Sequence, residues 1–414
     1  MLELAAPVAR QEPSHVPTKF AIILPDGAAD EPLPQLGDRT AFEAADIANI
    51  DSIAESGRIG TVRTVPEGFS PGSDVATMSL LGYDPRSHYT GRAPIEAVAR
   101  NVPLRPDDVV FRCNLVHVSG GEMTDFTAGH IRSSEAAAII KDLAAAFAGE
   151  GIAFHPGVSY RNLMVIRDPD AMEVSCMPPH DIPQEPVGEY QPKGKGAQRL
   201  RLIMEKADAI VAGHDVNVVR KDLGEIPATG IWLWGQGVVP IMPRFRQRFS
   251  VGGACIAAVD LIRGLAKLLG WTIIEVPGAT GYLDTDYAAK GRAAVGALDR
   301  HDLVAVHVEA TDEAGHMGDA AAKVESLNRI DELVVGPLLE KLRSFDDWRI
   351  LVAPDHPTPV GRRTHTADPV PFCMAGAHVA RGPARIDRFC ERTARTSGLH
   401  IEQGHELMEY FLRR

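Results

Sequence analysis

Residues 303–312 read Leu303-Val-Ala-Val-His-Val-Glu-Ala-Thr-Asp312, and this stretch decides the fold class. A largely apolar run that ends on an aspartate fits a strand of a parallel sheet covered on both faces. Two other segments share the form: Phe20-Ala-Ile-Ile-Leu-Pro-Asp26 and Arg349-Ile-Leu-Val-Ala-Pro-Asp355. Helical patterns lie between them. Residues 42–55 form one, residues 255–269 place Ile256, Val259, Ile262 and Leu265 on one stripe, and residues 319–342 repeat Val324, Leu327, Ile330, Val334 and Leu338. Strands alternating with helices predict an α/β fold. In such folds ligands bind beyond the carboxyl ends of the strands, so the three strand-terminal aspartates are expected to converge.

From about residue 105 to 250 the chain is richer in Pro, Gly and basic residues, with helical patterns at residues 133–148 and 197–212. The aspartate-bearing segments lie before and after it. This predicts a discontinuous core domain, residues 18–104 and 251–414, interrupted by an inserted domain, residues 105–250. Residues 1–17 carry Pro7, Pro13 and Pro17 and read as a flexible extension.

Composition limits the partners. Of 414 residues, 43 are Lys or Arg and 55 are Asp or Glu, for a net charge of −12. That field repels a phosphate backbone and argues against a nucleic-acid binder. Bound divalent cations would offset part of it at an anionic substrate. The sequence has no run of about 20 apolar residues, which argues against a membrane span. Its start lacks the pattern of a secretory signal. Cys113, Cys176, Cys255, Cys373 and Cys390 are odd in number and without a C-x-x-C, so neither a disulfide framework nor a zinc ribbon is expected, and a cytoplasmic location fits.

The chemistry-bearing residues are weak signals singly. Asp26-Gly27 alone is a turn. Asp312 and His316 are spaced i, i+4, which puts both on one face of a helical turn. Asp355-His356 ends a further strand, and His365 follows in Arg363-Thr-His-Thr366. Together they form a mixed carboxylate–imidazole set that suits Mn²⁺ or Zn²⁺ better than Mg²⁺. Pro71-Gly-Ser73-Asp74 precedes an apolar helical stretch, so Ser73 is expected near a helix N-terminus, where an anion is favoured. Its bland alternative is an ordinary N-cap. A serine hydroxyl is a poor nucleophile unless a base or a metal activates it.

The ordered set Leu24-Pro-Asp26-Gly27, Pro71-Gly-Ser73-Asp74, Thr311-Asp312-Glu-Ala-Gly-His316, Asp355-His356 and His365-Thr-Ala-Asp-Pro-Val-Pro371 resembles the cofactor-independent phosphoglycerate mutases of the archaeal type, within the alkaline phosphatase superfamily. So do Leu81-Gly-Tyr-Asp-Pro85, Tyr89-Thr-Gly-Arg-Ala-Pro-Ile-Glu96 and Ile231-Trp-Leu-Trp-Gly-Gln-Gly237. The resemblance implies an alkaline phosphatase-like α/β core, a mostly parallel sheet sandwiched by helices, with an inserted α+β capping domain. It implies two divalent ions, Mn²⁺ foremost, and no bisphosphoglycerate cofactor. Asp312, His316 and His365 would hold one ion. Asp26, Ser73, Asp355 and His356 would hold the other, with Ser73 as the phosphorylated nucleophile. Arg92, Arg112, His130, Arg161, His180 and Asp181 are the candidates for gripping a small phosphorylated substrate.

Pro357 after His356, His130 in Asp125-Phe-Thr-Ala-Gly-His-Ile131, and Arg363-Thr-His-Thr366 instead resemble a bacterial subgroup proposed to be a homoserine kinase. The chain lacks G-x-x-x-x-G-K-[ST], which weakens a standard kinase mechanism but not a phosphoserine relay. A metal-dependent phosphatase and a non-catalytic metal-stabilised binding protein are further alternatives. No C/S-x-P-x-R sulfatase motif is present.

Overall fold

The computed structural model describes residues 18–382 and 386–413. The extension expected over residues 1–17 lies outside the described residues.

The largest sheet has eight strands, in the order Thr272–Ile273, Gly253–Ile256, Leu303–Val308, Lys19–Pro25, Trp348–Val352, Val370–Gly376, Arg58–Val62 and His400–Ile401. It is mostly parallel. Lys19–Pro25 runs parallel to both Leu303–Val308 and Trp348–Val352, and only Val370–Gly376 opposes its neighbours. Alternation along the central strand assigns its side chains to two layers. Ala21 and Ile23 enter a cluster with Ile50, Leu327, Ile330 and Leu338. Phe20, Ile22 and Leu24 enter another with Met78, Ile262, Leu265 and Phe411. Burying each such large apolar side chain contributes roughly 1.5–3 kcal/mol before entropy is counted. The sheet is thus sandwiched by helices, and the fold is α/β as expected.

A second sheet comprises Glu122–Asp125, Val109–Ser119, Arg161–Ile166 and Ile152–Val158, with Gly230–Gly237 pairing on Val109–Ser119. Its ladders are antiparallel. Helices Ser133–Ala146 and Ala197–Ala212 pack on it, and a separate cluster around Phe111, Leu143, Met164 and Trp232 forms its core.

Three local expectations are corrected. The strand predicted over residues 303–312 ends at Val308. Ala310–Met317 is a helix, so Asp312 lies on a helix rather than at a strand end. The stripe predicted over residues 255–269 is divided between the strand Gly253–Ile256 and the helix Asp260–Leu268, and Ile256 packs on the opposite side of the sheet from Ile262. The segment 42–55 is two helices, Ala41–Ala44 and Ala48–Ser56. The pattern over residues 319–342 holds as helices Ala320–Ile330 and Gly336–Leu342, joined by a π turn at Asp331–Val335.

Candidate active site

Parallel register brings the strand ends together. Pro25 lies beside Val308, and Ile23 beside Val352. The residues just beyond these strands therefore share one space. Asp26, Asp355 and His356 have no exposed surface, and Asp312 is 5 % exposed. Asp26 leads into Gly27 at φ 60°, and a Cβ there would lie 2.5 Å from Asp312 Oδ1. A glycine is needed both for the left-handed backbone and for this close approach.

Ser73 opens the helix Ser73–Leu80 as its first residue, with Gly72 as the N-cap, so the ordinary N-cap reading does not hold. Ser73 Oγ lies 3.1 Å from His356 Nε2 and 3.4–3.5 Å from the Asp26 carboxylate oxygens. His356 Nε2 is in turn 3.4 Å from both Asp26 Oδ1 and Asp355 Oδ2. Gly27 N donates to Asp355 Oδ1 at 3.0 Å, which orients that carboxylate.

The second donor group is Asp312, His316 and His365. His316 Nδ1 is 3.1 Å from the Arg363 carbonyl, and His365 Nδ1 is 3.3 Å from the Pro71 carbonyl. Each Nδ1 must then carry a proton, because a carbonyl only accepts. In the neutral rings both Nε2 atoms present lone pairs, yet they face each other at 2.9 Å. Asp312 oxygens stand 3.3 and 3.4 Å from them. Two facing lone pairs and a carboxylate fit a cation held among them. Without one, a proton is retained instead. Burial opposes it, but Asp312 lifts His316 to about 9.

The neighbouring histidines hold Asp312 and Asp355 low against their burial, whereas two other acids of the cluster are raised. Burial raises Asp26 well above the carboxylate range, and the nearby Asp355, Glu309 and Asp312 charges add to the effect. Burial, followed by Asp312, pushes Glu309 up to about 8. Buried carboxylates this close resist sharing one site as anions unless positive charge enters.

His307 and Glu309 were not singled out from the sequence, and they belong to this cluster. His307 Nε2 is 3.0 Å from Asp26 Oδ2, and His307 Nδ1 is 3.6 Å from Glu309 Oε2. Asp26, His307 and Asp355 form a further group with ligand atoms in mutual reach. Burial holds His307 down to about 4. The available signal was a His and a Glu interrupting an apolar run.

Ser73 opens on a cavity of about 560 Å³ whose lining includes Arg92, Arg112, His130, Arg161, Glu309 and Glu313. Arg92 and Arg112 are bridged by Glu96. Their Nε atoms lie 2.9 and 3.2 Å from its two oxygens. Arg112 stacks on Trp234 with its guanidinium 4.4 Å from the ring centre. Burial, with Arg92 and Arg161 adding to it, lowers Arg112 to about 10. Arg161 lies over Tyr160 at 4.6 Å. His130 closes a turn in which Ala128, Gly129 and His130 all have positive φ, at 49°, 65° and 50°. Asp125 accepts the Thr127 and Gly129 amides of that turn, and buried Arg220 donates to the Ala128 carbonyl. Such strain persists only where surrounding contacts impose it.

His180 and Asp181 are placed differently. They sit on the short turn Pro179–Asp181, outside the lining of this cavity. The His180 ring packs edge-on to Trp234 at 5.1 Å and Phe126 at 6.2 Å. Among the described residues, no helix is long and apolar enough to cross a membrane.

Comparison with known proteins agrees along the chain. A profile described as 2,3-bisphosphoglycerate-independent phosphoglycerate mutase matches residues 54–217. The protein of that name from Methanothrix thermoacetophila is 48% identical over 395 residues, which span 95% of this chain and 99% of that one. A protein from Geobacter sulfurreducens named as a probable member is 43% identical over 96% of this chain and 100% of its own length. Among solved structures, a Pyrococcus horikoshii protein superimposes with a TM-score of 0.79 at 28% identity, covering 96% of this chain and 97% of that one. The cofactor-independent phosphoglycerate mutase of Thermoplasma acidophilum gives 0.64 at 26% identity, covering 95% and 99%. Near-complete coverage at these identities joins the motif set to the buried cluster beside Ser73, and the chain belongs to the 2,3-bisphosphoglycerate-independent phosphoglycerate mutase family.

Proposed function

We propose that the chain interconverts 3-phosphoglycerate and 2-phosphoglycerate through a phosphoserine at Ser73, without a bisphosphoglycerate cofactor. The observation that carries this reading is the position of Ser73 Oγ. It is held 3.1 Å from His356 Nε2 at the boundary between the Asp/His cluster and an arginine-lined cavity.

In the first half-reaction Ser73 Oγ forms a bond to phosphorus, and the bond from phosphorus to the substrate oxygen breaks. The proton lost from Ser73 matches the one gained by the departing glycerate oxygen, so the step is neutral in protons. The second half-reaction runs the same exchange to the other hydroxyl. Asp26 and His356 position Oγ, and the Ser73 helix N-terminus favours the anionic phosphoryl group. Arg92, Arg112, Arg161 and His130 retain the phosphate and carboxylate charges while glycerate reorients. Residues 105–250 act as a cap that excludes water, which would otherwise divert the phosphoserine to hydrolysis. The separate sheet and core of that segment support this role. His180 and Asp181 would join the substrate contacts from the cap.

Two divalent ions would supply Lewis-acid stabilisation of the phosphoryl charge and a lowered pKa for the attacking hydroxyl. Asp312, His316 and His365 would hold one, and Asp26, Ser73, Asp355 and His356 the other. The mixed O/N donors suit Mn²⁺ or Zn²⁺ better than Mg²⁺, and the family resemblance puts Mn²⁺ first. Five free cysteines support a cytoplasmic setting.

The test is purified protein with Mn²⁺, given 3-phosphoglycerate in one arm and homoserine with ATP in the other. Formation of 2-phosphoglycerate is expected. Homoserine phosphate as the only product would reject the mutase reading in favour of the kinase.

A further inference from the structure

Thr358 has no part in the reaction described above, yet it is fully buried and touches both donor sets. Its hydroxyl donates to Asp312 Oδ1 and lies 3.2 Å from His356 Nδ1. A hydroxyl has one proton to give, and an ionised carboxylate only accepts. The Thr358 proton is therefore committed to Asp312, and the contact with His356 has Nδ1–H donating to Thr358 Oγ1. The Pro357 carbonyl, 3.4 Å from the same nitrogen, also only accepts and demands the same tautomer. His356 Nε2 is left with its lone pair, directed at the space between Ser73, Asp26 and Asp355.

The surroundings leave this hydroxyl little freedom. A Cβ on Gly27 would lie 2.5 Å from Thr358 Oγ1, and one on Gly315 would lie 2.8 Å from Thr358 Cγ2. Thr358 N donates to the Gly27 carbonyl at 3.2 Å. The Thr358 carbonyl accepts from Lys323 Nζ at 2.9 Å. Lys323 is itself fully buried and tied to Asp30 Oδ2 at 2.8 Å. Three other segments thus fix this residue: the Asp26–Gly27 turn and the helix Ala320–Ile330 through its backbone, and the helix Ala310–Met317 through its side chain.

We propose that Thr358 is a positioning residue that couples the two donor sets, orienting the Asp312 carboxylate in one and fixing the His356 tautomer in the other. The proposal rests on the two-ion reading above. Partners of this kind, once removed, typically weaken metal binding by 10–100-fold.

Metal-free wild type, Thr358→Val and Thr358→Ser would each be titrated with Mn²⁺ by calorimetry, without substrate. Valine keeps the branched shape and lacks the hydroxyl, so its affinity is expected to fall about 10–100-fold, whereas serine keeps the hydroxyl and stays near wild type. Valine binding as tightly as wild type, or serine weakened as much as valine, overturns the proposal. Long-range ¹H–¹⁵N NMR of the histidines in metal-free wild type supplies a second reading that does not depend on a variant folding. The Nδ1–H tautomer is expected for His356, and an Nε2–H tautomer overturns the proposal. Wild type that takes up no Mn²⁺ overturns the two-ion reading and the proposal with it. Wild-type uptake matched by an unchanged valine variant overturns the proposal alone.

Discussion

The Asp/His cluster and the arginine cavity meet at Ser73, but different parts of the chain build them. Every side chain of the cluster lies on, or just beyond, the last strand residues of one sheet, or on elements packed against those ends. Asp26, Asp355 and His356 are fully buried there. The cavity is divided. Arg92 and Glu96 come from the helix Arg92–Ala99, whereas Arg112, Tyr160 and Arg161 come from the second sheet and its turn. The Glu96–Arg112 ion pair and the Arg112–Trp234 stack tie the cavity together. In the proposed mechanism the bond-making groups are thus fixed by one rigid register, and the recognition groups are divided between a helix and the second sheet. Changes in the cluster should act on kcat, and changes in the cavity on KM.

The largest effect expected is at the meeting point. Ser73→Ala should lower turnover on the order of 10⁴-fold or more, as loss of a nucleophile does elsewhere. Steady-state assays of the folded variant check this, and full retained turnover would break the division at once.

Removing metal should come next. Stripping divalent ions should abolish turnover and lower the Tm. Mn²⁺ at 100 times its dissociation constant should return about 2.7 kcal/mol of stability. Calorimetric melts with and without Mn²⁺ read this directly, and an unchanged Tm would contradict a cation among Asp312, His316 and His365.

The cavity offers a paired test. Arg161 is exposed, so Arg161→Ala should raise KM about 10-fold, the loss of one charged contact, with little change in Tm. Arg112 is buried against Glu96, so Arg112→Ala should also destabilise the fold by about 1–3 kcal/mol, because Glu96 loses one of its two arginine partners and keeps only Arg92. Equal stability losses at the two positions would contradict the assignment of their environments.

The smallest effect lies outside both regions. Asp208, on the helix Ala197–Ala212, accepts the Ile231 amide at 2.9 Å, and burial raises its carboxyl to about 6. The folded state therefore holds this proton more tightly than the unfolded chain. The associated stability is full below about pH 4 and is lost as pH rises through about 6. Asp208→Asn keeps an acceptor for Ile231 N and removes the titration. Its stability relative to wild type should rise by about 1 kcal/mol across that window, after discounting for partial exposure, with Mn²⁺ affinity and kcat unchanged. Denaturant melts from pH 4 to 7 measure it.

How much of this was readable in the sequence follows the same division. Asp26 and Asp355 were legible because an apolar run that stops on an acid is a local pattern. Asp312 was read as part of the set and lies in the cluster, but it was placed on a strand, because Glu309-Ala-Thr-Asp312 does not advertise the helix start that follows Val308. His307 and Glu309 looked like breaks in a strand. Only the packed fold shows that both face the cluster. Thr358 gave no signal at all, because its meaning depends on Gly27, Asp312 and Lys323, three distant segments. In the cavity, Arg112 sits in a strand pattern that fixes its face but not its partners, and Glu96 and Trp234 come from remote parts of the chain. His180 and Asp181 were candidates through the family resemblance, and they lie outside the cavity lining, with the His180 ring packed on Trp234.

The central claim is that Ser73 carries the phosphoryl group between the two hydroxyls. Wild-type enzyme with Mn²⁺ and saturating 3-phosphoglycerate, quenched in acid during turnover and digested for mass spectrometry, tests it most directly. A single phosphoryl group on Ser73 is the predicted result. Phosphoglycerate turnover with Ser73 unmodified and the phosphoryl group on another residue would contradict it.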